Sequence, residues 1–195
     1  MKRVVVTGMG AVTPVGNDVA SFWDSLTAGK CGVDFITRFD TGEMKVKIAA
    51  EVKDFDPTLY MEKAEIRKTD LYAQYAMAAA VQAMKDSEIM GKVAPERLGV
   101  YVGSGIGGKT TFMQEEEKLL SKGPKRVSPF FIPMMISNIA AGKIAIRFNA
   151  QGPALDISPA RASSANTVGE AVRAIKPGYA NAMISGGAGA SINPL

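Results

Sequence analysis

A chain of 195 residues, 47% hydrophobic and 22% charged, is long enough for one domain with a core and too apolar to be disordered. Its net charge of +4 is spread over short pairs such as Arg67-Lys68 and Lys125-Arg126, not gathered in the basic stripe that a nucleic-acid surface needs. No stretch approaches the roughly 18 to 20 apolar residues of a membrane span. The single cysteine, Cys31, has no disulfide partner and belongs to no metal-ligand pattern, which fits a reducing compartment. The expectation is a cytoplasmic protein with no metal, no cofactor, and no nucleic-acid or membrane partner. Histidine is absent, so proton transfer near neutral pH would have to do without imidazole.

In chain order, Met1-Lys2-Arg3 followed by Val4-Val5-Val6 could open a secretory leader. The apolar run breaks at Thr7-Gly8 with no cleavage site after it, so residues 3–8 read as a buried first strand. Asn17 or Asp18 caps a helix to about Thr27, with Val19, Phe22, Trp23 and Leu26 on one face. Residues 44–52 alternate as a half-exposed strand or hairpin. A short helix over 62–68 precedes a longer one, capped by Thr69 or Asp70 and running to about Ser87. Leu98 opens a second buried strand, which ends in the glycine cluster 103–108. A polar helix follows, its Glu115, Glu116, Glu117 and Lys118 facing water.

Residues 129–135 read as an apolar loop and 136–147 as a helix. Residues 154–158 form a third strand with Asp156 inside it, 163–176 a helix, and 182–185 a further strand. Strands alternating with helices imply a mainly parallel sheet covered on both faces. The helix over 163–176 is rich in small residues, and Gly169 inside it costs about 1 kcal/mol relative to alanine. A close-approaching backbone would compensate, so this helix is expected to lie between two layers.

Several stretches together resemble the elongating condensing enzymes, specifically β-ketoacyl-acyl-carrier-protein synthase II of the thiolase-like superfamily. They are Arg3-Val-Val-Val-Thr-Gly-Met-Gly-Ala-Val-Thr-Pro-Val-Gly16, Gly103-Ser-Gly-Ile-Gly-Gly108, Gly123-Pro-Lys-Arg-Val-Ser-Pro-Phe-Phe-Ile-Pro-Met134, Gly152-Pro153, Asn166-Thr-Val-Gly-Glu-Ala171 and Ile184-Ser-Gly-Gly187. The resemblance implies an α/β fold: a thiolase-like half domain over 1–195, with a mainly parallel mixed sheet and helices on both faces. The whole family fold is two such halves, and the family's two catalytic histidines belong to the second.

The family activity is decarboxylative condensation of an acyl thioester with malonyl-carrier protein in fatty-acid synthesis. Its nucleophile is a cysteine at a helix N-terminus, where the dipole favours the thiolate. Counting back from Asn166, that position is Arg161, which stays protonated and cannot accept an acyl group. Pro159 replaces the family threonine, and Gly189 stands where glutamate is usual. Acyl-pocket positions carried over by resemblance are Ile106, Phe131, Met134 and Met135. The chain is therefore expected to be inactive alone. It reads either as a truncated or redesigned half-fold that self-associates, or as a degenerate subunit of the chain-length-factor kind. Partners implied are a second copy, an acyl carrier protein or a complementary C-terminal half.

One alternative competes. Gly103-Ser-Gly-Ile-Gly-Gly-Lys-Thr110 also fits a phosphate-binding P-loop, in which Gly103 and Gly108 frame the loop, Lys109 reaches the phosphates and Thr110 holds magnesium. No strand ending in a metal-binding aspartate accompanies it.

Overall fold

The computed structural model describes residues 3–195; Met1 and Lys2, with which the leader-like start begins, lie outside the described residues. Asp18 caps α1 (Val19–Thr27) through a reciprocal box with Ser21, its carboxylate accepting the Ser21 N–H at 2.7 Å. A minimal hairpin follows, β1 (Asp34–Phe35) antiparallel to β2 (Ile48–Ala49). After α2 (Lys63–Ile66), Asp70 caps α3 (Leu71–Ser87). The remaining elements are β3 (Leu98–Gly103), α4 (Lys109–Lys122), α5 (Phe131–Met135), α6 (Ile139–Arg147), β4 (Ala154–Leu155), α7 (Ser163–Ile175) and β5 (Ala182–Gly187).

The main sheet has the order β4-β3-β5 and is parallel throughout. Strand alternation sorts its side chains onto two faces. Leu98, Val100, Val102 and Ile184 join the larger core with Tyr72, Met77 and Met84 of α3 and Ile144 of α6. Tyr101 and Met183 face the other way, onto Ala171 and Ala174 of α7. Full burial of side chains the size of Met77 and Ile144 stabilises by roughly 1.5–3 kcal/mol each. The alanines of α3 and α7 let both helices approach the sheet closely. No helix among the described residues is long and apolar enough to cross a membrane.

Several sequence expectations need correction. Residues 3–8 pair with no strand among the described residues: Gly8 packs on α3, and Val5 is 58% and Val6 76% exposed. A strand needs a neighbour, and β-branched composition supplies none. In α1 the buried residue is Ser25, while Trp23 and Leu26 face out. Residues 131–135 are helical, and the expected helix from 136 begins at Ile139. β4 ends at Leu155, so Asp156 lies beyond its strand. Glu115 is buried, because the segment after α4 folds back and offers it the Ser128 N–H at 2.7 Å.

Within this chain α7 is covered on one side only. A Cβ added at Gly169 would meet nothing within 4 Å, and Val168 is 47% exposed.

Candidate functional site

The C-terminal ends of β3 and β5 converge on the head of α7, the usual place for a site in a parallel sheet. Three glycines admit that helix head. A Cβ at Gly103 would fall 2.2 Å from the Ile157 carbonyl oxygen, one at Gly105 3.3 Å from that of Ala160, and one at Gly187 3.0 Å from Ser164 Cβ. Thr167, fully buried, donates its hydroxyl to the Gly186 carbonyl at 2.8 Å and locks α7 to β5.

Arg161 lies in the 3-10 turn Ala160–Ala162 that leads into α7. The preceding Ala160 has φ +51°, a left-handed conformation that costs a non-glycine residue roughly 1 kcal/mol or more. Ser163 steadies the turn by donating its hydroxyl to the Ala160 carbonyl at 2.5 Å. On the approach to it, the Asp156 carboxylate accepts the Ser104 N–H at 3.3 Å and the Ser158 hydroxyl at 2.6 Å, tying the turn's entry to the loop after β3. Arg161 is exposed and forms no ion pair among the described residues. No side chain caps α7, so an acceptor at this helix head would come from outside the turn.

The positions carried over as an acyl pocket fall on two neighbouring elements. Ile106 is 58% exposed in the loop after β3; Phe131, Met134 and Met135 are half-buried on α5. The two elements touch through backbone: Gly108 N–H donates to the Met135 carbonyl at 2.9 Å, and a Cβ at Gly108 would sit 2.4 Å from the Met134 carbonyl oxygen. Sequence reading missed Phe112, whose ring lies 6.1 Å from that of Phe131; only its place one turn into α4 hinted at it. A cleft of about 890 Å³ runs along another face of α4, between Arg38, Leu71, Met113, Leu120 and Ile192, and none of the four positions lines it.

Several groups of the P-loop stretch that would hold a phosphate are already taken within the protein. Asp70, 4% exposed, accepts the Thr111 N–H at 2.9 Å and its hydroxyl at 2.6 Å. Gly107 N–H is taken by Ser104 Oγ at 3.1 Å, Gly108 N–H by Met135 as above, and Lys109 Nζ donates to the Leu195 carbonyl at 2.5 Å. Gly103 is pressed on Ile157, and Thr110 lines the large cleft. The anion that this helix N-terminus attracts is the protein's own carboxylate. Nearby, burial together with the Asp70 charge pushes the Tyr72 phenol upward, and its hydroxyl donates to the Ile136 carbonyl at 2.7 Å.

Over residues 1–195 the chain matches the family described as "Beta-ketoacyl synthase, N-terminal domain". It is 44% identical over 195 residues to 3-oxoacyl-[acyl-carrier-protein] synthase 2 of Staphylococcus aureus, covering 100% of this chain and 47% of that protein. The enzyme of the same name from Coxiella burnetii is 46% identical over 196 residues, again 100% and 47%. Among solved structures, the ishigamide ketosynthase/chain length factor superposes with a TM-score of 0.86 at 28% identity, over 95% of this chain and 47% of that one. A type II polyketide ketosynthase in complex with its acyl-carrier protein gives 0.84 at 26% identity, over 100% and 52%. The chain thus spans about half the length of the curated relatives it matches.

Proposed function

This chain belongs to the β-ketoacyl synthase family, as its N-terminal domain, and from that premise we propose that it is one half of a condensing unit that is catalytically silent on its own. The observation that carries this reading is Arg161 at the head of α7, where the family places its cysteine. In the family reaction that cysteine takes the acyl group, and backbone N–H groups at the helix head hold the oxyanion. A guanidinium at that point has no lone pair to attack with and stays charged. The open outer side of α7 supports a complementary second half as the missing layer, and residues 1–195 as a single half domain. Ile106, Phe131, Met134 and Met135 remain the proposed acyl-pocket wall, with Phe112 added beside Phe131.

The test mixes this chain with the C-terminal half of the Staphylococcus aureus relative and follows ketoacyl product from malonyl-carrier protein. Arg161→Cys with that half should condense, while the unsubstituted chain with the same half should not. Arg161→Cys alone should stay silent, because the chain holds no histidine. Product from the unsubstituted chain, or from Arg161→Cys alone, would overturn the reading.

An acyl carrier protein is the proposed partner, on a separate observation. Lys68 Nζ stands 4.7 Å over the Phe130 ring, which brings it against the segment that carries the exposed Lys125-Arg126 pair a few residues earlier. Such a surface fits the phosphodiester and acidic side chains of a carrier. Lys68→Glu with Arg126→Glu should weaken carrier binding about tenfold or more; unchanged affinity would remove this surface from the proposal.

A further inference from the structure

The loop after β3 lies between the two parts of the proposed acyl site. On one side, a Cβ at Gly105 would meet the Ala160 carbonyl oxygen at 3.3 Å, next to Arg161. On the other, a Cβ at Gly107 would fall 2.5 Å from the Met135 carbonyl oxygen of α5. Ile106 stands between these two backbone contacts and is itself 58% exposed. Its place is therefore set by the conformation of the loop more than by packing of its own side chain.

One side chain ties that conformation from within. Ser104, 2% exposed, accepts the Gly107 N–H on its hydroxyl at 3.1 Å and so closes the loop over Gly105 and Ile106. Gly107 has φ +78°. Glycine takes positive and negative φ about equally, so a single conformation here needs a tie from outside the residue. The backbone N–H of the same serine donates to Asp156 at 3.3 Å, and the other oxygen of Asp156 accepts the Ser158 hydroxyl. Ser104 thus joins the Ile106 loop to the entry of the turn that carries position 161. A buried hydroxyl is retained where its hydrogen bond offsets the cost of leaving water.

We infer that Ser104 is a positioning residue of the acyl site: by holding Gly107 it fixes Ile106 where a chain entering from the head of α7 passes, and so lets the site tell long acyl chains from short ones. The inference rests on the acyl-pocket reading of Ile106, Phe131, Met134 and Met135, and adds the residue that sets that wall.

The test needs no condensation activity. Cys31 is the one native thiol, so Cys31→Ser with Arg161→Cys leaves a single thiol, at the head of α7. N-octylmaleimide and N-ethylmaleimide carry a long and a short tail on the same reactive ring. The octyl-to-ethyl rate ratio at position 161 should exceed that at Cys31 of the unsubstituted chain by about tenfold, because each buried CH2 favours the longer tail. Adding Ser104→Ala should cut that ratio about fivefold, with the ethyl rate and the circular dichroism unchanged. Asp156→Ala loosens the same tie from the turn's side and should also lower the ratio, which keeps the test intact if Ser104→Ala does not fold. A ratio that survives both substitutions overturns the inference and leaves the pocket standing. So does Ser104→Ala slowing both reagents alike, which a purely structural role would produce. An octyl preference no greater at position 161 than at Cys31, with Ser104 in place, overturns the acyl-pocket reading, and the role of Ser104 falls with it.

Discussion

The carboxylate of Asp70 takes both the N–H and the hydroxyl of Thr111, at 2.9 and 2.6 Å, while its other oxygen accepts the Tyr72 N–H at 3.2 Å. One side chain therefore caps two helices, α3 at its own N-terminus and α4 across the sequence. Single caps are worth about 1 kcal/mol, and a hydrogen bond to a charged acceptor about 1.5–3 kcal/mol. Asp70→Ala should lower unfolding free energy by roughly 3 kcal/mol, since it also strands the Thr111 hydroxyl in a buried site. Urea unfolding measures this. A loss under about 1 kcal/mol would mean that water or a neighbour replaces the cap.

The same contact decides what the glycine loop after β3 binds. A phosphate at the N-terminus of α4 would have to displace a buried carboxylate and share its field. Magnesium-ATP should therefore leave the melting temperature of this chain unchanged, and Lys109→Ala should make no difference to that result. A nucleotide-dependent rise that disappears in Lys109→Ala would restore the phosphate-binding alternative.

Acid should loosen the segment after α4. The Lys118 ammonium, donating to Glu115 at 2.5 Å, and then the Ser128 N–H hold the Glu115 carboxyl below its ordinary value near 4.5. A carboxyl depressed in the folded state adds stability above its unfolded value, and that stability is lost as pH falls through the folded one. Stability curves of the unsubstituted chain and Glu115→Gln should differ at neutral pH and converge as pH falls below the ordinary carboxylate range. Parallel curves across that range would place the acid sensitivity elsewhere, for instance at Asp18 in its capping box.

What was legible in the sequence is what local rules encode. Asp70 before an alanine-rich run, and β-branched residues leading into Gly103, gave α3 and β3 nearly to the residue. The site's outline was legible through resemblance, down to Arg161. What stayed hidden depends on contacts between distant segments. Glu115 looked like one of three solvated glutamates, and only the return of Ser128 buries it. Phe112 carried no signal of its own, and its contact with Phe131 exists only because α5 comes to lie beside α4, leaving the ring 44% exposed. Residues 3–8 have strand composition, but strand pairing belongs to the neighbour as much as to the sequence.

Two glycines turn that distinction into opposite predictions. At Gly10 a new Cβ would sit 1.9 Å from the Ala79 carbonyl oxygen and 2.8 Å from its carbon, both backbone atoms of α3 that cannot step aside. Gly10→Ala should therefore cost about 3 kcal/mol, and it should free residues 3–12 from α3. Gly169 sits in mid-helix with nothing within 4 Å. There alanine only removes backbone entropy from the unfolded chain, and Gly169→Ala should stabilise by about 1 kcal/mol. Sequence reading took Gly169 as a mark of close backbone approach, and in the isolated chain no such backbone is present. Both ideas hold together if the approaching layer comes from a second half. Gly169→Ala would then raise the melting temperature of the chain alone and weaken its binding to a complementary C-terminal half. Destabilisation of the isolated chain would show that α7 is already covered, and the need for a partner on that face would disappear.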